Sequence, residues 1–110
     1  MSGQDLFIQL RDTQRRLTQA LGDLGKQGRA HAEAEKNYRI ALAQKILIER
    51  DKGVPVTIIN DICRGDEKIA LLKFERDAAE VNYTVALEAI QAFKLDIRML
   101  DAQIQREWKS

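Results

Sequence analysis

Residues 69–108 read IALLKFERDAAEVNYTVALEAIQAFKLDIRMLDAQIQREW, a stretch with neither glycine nor proline. Its apolar residues Ile69, Leu72, Ala79, Tyr83, Ala86, Ile90, Phe93, Ile97, Leu100, Ile104 and Trp108, with Arg76 among them, recur in alternating steps of three and four. Steps of that kind lay one stripe along an α-helix and are incompatible with the two-residue alternation of a strand. The spacing predicts a long helix over about 66–108.

A second stripe runs two residues out of phase with the first: Leu71, Phe74, Ala78, Val81, Val85, Ala89, Ala92, Leu95, Met99 and Ala102. Two residues are about 200° of helical rotation, so the two stripes lie on nearly opposite faces. One neighbouring helix covers only one of them. A helix apolar on two faces belongs inside a bundle, and so much open apolar surface is unusual for a monomer.

Upstream, Leu6, Leu10, Thr13, Leu17, Leu21, Leu24, Gly28, His31, Ala34, Tyr38, Ala41, Lys45 and Ile48 form a comparable stripe, predicting a helix over about 4–51. Gly22, Gly25 and Gly28 weaken its middle, each by roughly 1 kcal/mol relative to alanine, and predict a kink, a fray or a close helix crossing. Lys52-Gly53-Val54-Pro55 stops the helix with a glycine suited to a left-handed C-cap and a proline two residues on. A short helix follows within the tip, 53–65, and Gly65-Asp66 closes it and caps the next. The fold class is therefore all-α: one domain over 1–110, an antiparallel two-helix hairpin with a short helix at its tip, assembling as a dimer into a four-helix bundle or coiled coil. Folding the chain back at the tip sets Tyr38 near Tyr83, Leu24 near Ile97 and Leu17 near Ile104. The expected oligomer interface is Leu71, Phe74, Val81, Val85, Leu95 and Met99. Ile40, Ala43 and Leu47 make a shorter second stripe near the tip.

Composition narrows the chemistry. Eighteen Lys and Arg against seventeen Asp and Glu leave a net charge of +1, and neither arm is polarised: nine basic and seven acidic residues over 1–51, seven and eight over 67–110. A dedicated DNA reader carries more basic asymmetry than this. Arg11, Arg15, Arg16, Lys26 and Arg29 nevertheless mark helix one as the surface through which phosphates would be met, although Asp12 and Asp23 are interleaved with them. Cys63 is the one cysteine, which excludes an intramolecular disulfide and any multi-cysteine metal cluster and fits a cytoplasmic setting. No apolar run has the length of a membrane span.

No catalytic constellation, metal site or cofactor motif emerges. His31, Glu35 and Tyr38 share a helix face, but a single histidine at a seam position reads as packing rather than acid-base chemistry. Arg64-Gly65-Asp66 spells an adhesion tripeptide and reads as helix punctuation. Asn82-Tyr83-Thr84 spells a glycosylation triplet in the middle of a helix. Cys63 reads as a small residue packed under the tip.

The run Gly53-Val54-Pro55-Val56-Thr57, then Asp61-Ile62-Cys63-Arg64-Gly65-Asp66-Glu67, flanked by Ala34-Glu35-Lys36-Asn37-Tyr38 and by Phe74 to Tyr83, resembles small uncharacterised helical proteins of phages and prophages of Gram-positive bacteria. The resemblance covers roughly residues 33–107. It implies an accessory role inside the host cell among early replication and recombination functions, and it brings no catalytic residues. The expectation is a non-enzymatic, self-associating interaction protein, with a phage or host protein as the rival partner. The alternative is an accessory nucleic-acid binder.

Overall fold

The computed structural model describes residues 2–109 and is all-α: α1 (Gly3–Asp51), α2 (Val56–Gly65) and α3 (Glu67–Lys109). The two long helices form a hairpin with the short one between them. Contacts gather in two units, residues 1–26 with 83–110 and residues 27–82.

Each helix end is fixed by local chemistry. Ser2 and Asp5 cap α1 reciprocally: the Asp5 amide donates to Ser2 Oγ at 3.2 Å and the Ser2 amide to Asp5 Oδ2 at 3.4 Å. At the other end Gly53 takes φ +87°. Its amide donates to the Arg50 carbonyl at 3.0 Å and that of Val54 to the Glu49 carbonyl at 3.1 Å, the paired bonds of a Schellman stop. Pro55 then precedes α2 without a side-chain cap. Asp66 ends α2 and starts α3, its Oδ2 accepting from the Ile69 amide at 3.2 Å. The tripeptide Arg64-Gly65-Asp66 is thus a stop and a start, as read from the sequence.

In the unit of residues 27–82, α1 and α3 lie antiparallel, with Tyr38, Ile59, Cys63 and Ile69 buried. Arg76 reaches Glu35 at 3.5 Å and stacks over the Tyr38 ring with its guanidinium carbon 4.6 Å from the centroid. Lys45 reaches Asp66 at 3.6 Å. In the unit of residues 1–26 and 83–110, Leu6, Ile90 and Ile104 are buried, and Gly3, Gln4 and Phe7 share an open depression with Ile104, Glu107 and Trp108.

These pairings correct the expected register. Tyr38 meets Arg76 rather than Tyr83, and Ile104 lies beside Phe7 rather than Leu17, about ten positions away. The cause is the tip. Asp66 stands level with Lys45, six residues before α1 ends, so α2 descends alongside the last turns of α1 and belongs to the returning arm. The chain reverses at Lys52–Pro55, not in the middle of α2.

The seams themselves are mostly as expected. On α3 every predicted position from Ile69 to Ile104 is buried or half-buried, and on α1 the same holds except at Leu21 and Ile48. Near the tip burial passes to Leu42, Ile46 and Glu49, where Arg64 at the end of α2 shares an open depression with Leu42 and Ile46. Trp108 is 76% exposed and so does not extend the seam: the facing turn of α1 offers Gly3, which has no side chain to cover the indole.

The glycines do not break α1, and Gly22 and Gly25 bring no neighbour close. The helix runs unbroken through Gly22, Gly25 and Gly28, and a Cβ added at Gly22 or Gly25 would meet nothing within 4 Å. Gly22→Ala and Gly25→Ala should therefore each stabilise the chain by about 0.5–1 kcal/mol through helix propensity alone, read as a higher urea midpoint. A loss of stability at either position would show that the glycine serves a contact absent from the isolated chain.

Candidate interaction surface

The predicted interface residues stay open to solvent within the single chain. On α3, Leu71, Phe74 and Val81 in one unit and Val85, Leu95 and Met99 in the other are 49–68% exposed. Each stands two positions from a residue of the α1-facing seam, so helical geometry turns it away from α1. Ile40 and Leu47 on α1 are also more than half exposed.

The amount of open surface is large for the size of the chain. Its accessible area is 8231 Å² for 12.6 kDa, where a compact monomer of that mass would expose roughly 6,200 Å². Against the extended chain, folding removes only about 55% of the surface, less than the roughly 60% removed by domains half as long. Among the described residues seven apolar side chains are buried, whereas seventeen large ones are exposed. A ratio of that kind marks a helix pair whose remaining faces are free for other contacts.

Polar side chains fix the pairing of the helices. Arg76, at a seam position, donates to Asp77 Oδ1 at 3.0 and 3.1 Å besides contacting Glu35 and Tyr38. Glu35 also accepts from Arg39 Nε at 2.6 Å, which holds its carboxyl below the usual carboxylate range, with Arg76 adding to the effect. Nearer the tip Glu49 is buried and accepts from Lys45 at 3.0 Å and Lys52 at 3.5 Å. The Lys45 bond lowers its carboxyl in the same way, and the bond to Glu49 raises the Lys45 ammonium. Clusters of this kind contribute little net stability when exposed, but a polar residue in a seam selects one alignment among several that are equally apolar.

In both clusters the carboxylate is engaged by cations, Glu49 by two lysines. The Glu35 carboxylate is engaged by two arginines and Tyr38 is buried beneath one of them. No group of three or more metal-ligating side chains is found among the described residues. Cys63 is fully buried, and among the described residues no helix is long and apolar enough to cross a membrane.

The basic residues of α1 separate. Arg11, Arg15 and Lys26 are exposed and fall within about 60° of one another on the helix, and Arg29, in the other unit, has the same phase. Arg16 lies about 100° from Arg15 and is paired with Asp12 at 3.1 Å. Sequence reasoning missed two polar positions: Glu49, which is buried, and Glu88, an exposed residue in the heptad phase of the outer stripe. Comparison with models of protein families, with curated proteins and with solved structures gives no match.

Proposed function

We propose that this chain is a non-enzymatic helical interaction protein that works as a homo-oligomer, most simply a dimer, joined through the outer face of α3. The observation that carries the reading is the exposure of Leu71, Phe74, Val81, Val85, Leu95 and Met99 at heptad spacing on a helix whose opposite face already packs on α1. Pairing two such faces turns two hairpins into a four-helix core. Apolar side chains left open in a row along one helix face are the kind of surface that a second copy would cover. The resemblance of the tip to small phage and prophage proteins supports an accessory role in the cytoplasm of a bacterial host. Because Arg16 is paired with Asp12 and the net charge is only +1, nucleic-acid binding through Arg11, Arg15 and Lys26 is the secondary reading.

Light scattering on a sizing column, at several loading concentrations, tests the proposal. A mass of twice 12.6 kDa or a larger multiple is expected. A monomer at every concentration would reject self-association and assign the outer face to a different protein.

A further inference from the structure

We propose that two copies pair α3 against α3 in antiparallel orientation, about a twofold axis level with Tyr83, and that Glu88 dictates this arrangement. The inference rests on the self-association reading and adds its geometry.

The seam facing α1 keeps a strict heptad from Ile69 to Ile104. A strict heptad makes the outer face keep the same repeat, and two positions on from the seam that repeat is Leu71, Phe74, Ala78, Val81, Val85, Glu88, Ala92 and Leu95. Glu88 is exposed and stands seven positions from both Val81 and Leu95, so by helical phase the carboxylate, and not the neighbouring Ala89 methyl, falls in line with the outer stripe. One ionisable side chain thus stands in the middle of an apolar face.

Parallel, in-register pairing would set Glu88 against Glu88 of the second copy inside a desolvated seam, with like charges in contact. It would also stack Phe74 on Phe74 while Ala78 and Ala92 each faced their own kind, so that crowded and empty layers followed one another. Reversing one helix about the level of Tyr83 removes both faults. Leu71 then meets Leu95, Phe74 meets Ala92, Ala78 meets Glu88 and Val81 meets Val85, while Met99 falls at the end of the seam, opposite Glu67 at the start of α3. Large side chains oppose small ones or equals, the pattern by which facing layers interdigitate. Each Glu88 crosses a methyl group and has room to turn its carboxylate to water, and the two carboxylates stand ten positions apart, about 15 Å along the helix. Moving the axis half a heptad toward the C-terminus brings Phe74 onto Met99 and Val85 onto Glu88, and the complementarity is lost.

Distances between nitroxide labels on single cysteines test the arrangement. Lys94 and Glu80 are exposed and lie outside the proposed seam, and Cys63, fully buried, does not compete for label; a Cys63→Ala background is the control. Lys94 is eleven positions from the axis and Glu80 three, giving axial separations between copies of about 33 Å and 9 Å. Electron–electron double resonance on Lys94→Cys should report about 35 Å, and on Glu80→Cys less than about 20 Å. Two short distances would mean a parallel dimer, and two similar intermediate ones an axis nearer residue 87; either overturns the proposal while leaving self-association standing. A labelled protein that is monomeric by light scattering overturns both.

Discussion

Val85→Glu should abolish the oligomer while leaving the hairpin helical. Val85 is 61% exposed in the single chain, so a glutamate there faces water in the monomer and replaces a β-branched residue with a better helix former. In the paired state the same side chain falls beside Val81 of the second copy, near the axis, where two new carboxylates would lose solvent within one or two turns of each other. Desolvating an unpaired carboxylate is costly enough that the dissociation constant should rise at least about 100-fold, which corresponds to roughly 2.7 kcal/mol. Light scattering should give a monomer at concentrations where the parent protein is associated, with far-ultraviolet circular dichroism little changed. An oligomer of undiminished mass would remove the outer face of α3 from consideration as the interface.

How far the sequence could be read depended on what each feature required. The α3 seam was legible because its repeat is strict and because helical phase alone places Ile69, Ile90 and Ile104 on one side. The outer stripe followed from the same phase, two residues on. Register was not legible in the same way. Sliding one heptad past another exchanges leucines and alanines for leucines and alanines, so many alignments satisfy the apolar pattern equally. The alignment is selected by Arg76 with Glu35 and Tyr38, and by Lys45 with Asp66. These residues were visible as polar members of the two seams, but nothing local says which carboxylate each cation meets. The tip shows the same limit. Gly53 and Pro55 mark the reversal unambiguously, whereas the placement of Asp66 beside Lys45 depends on contacts between segments distant in sequence.

Ile90→Ala should be the most damaging conservative change in the unit of residues 1–26 and 83–110. Among the described residues of that unit three apolar side chains are buried, Leu6, Ile90 and Ile104, and Ile90 stands well inside α3, away from either end. Truncation removes three carbon atoms and leaves a cavity that the surrounding side chains close only in part, a loss of about 2–5 kcal/mol. Against a total stability on the order of 5–15 kcal/mol, and with so little of the surface buried, that is a large share. Alanine is the better helix former, so the loss cannot be assigned to secondary structure. Unfolding by urea at several protein concentrations separates this effect from that at Val85. An oligomer gains apparent stability with concentration; Ile90→Ala should lower the midpoint at every concentration and keep that dependence, whereas Val85→Glu should erase it. A loss at Ile90 below about 1 kcal/mol would mean that the seam facing α1 does not hold the unit together, and the antiparallel pairing of α1 with α3 in that unit would have to be abandoned.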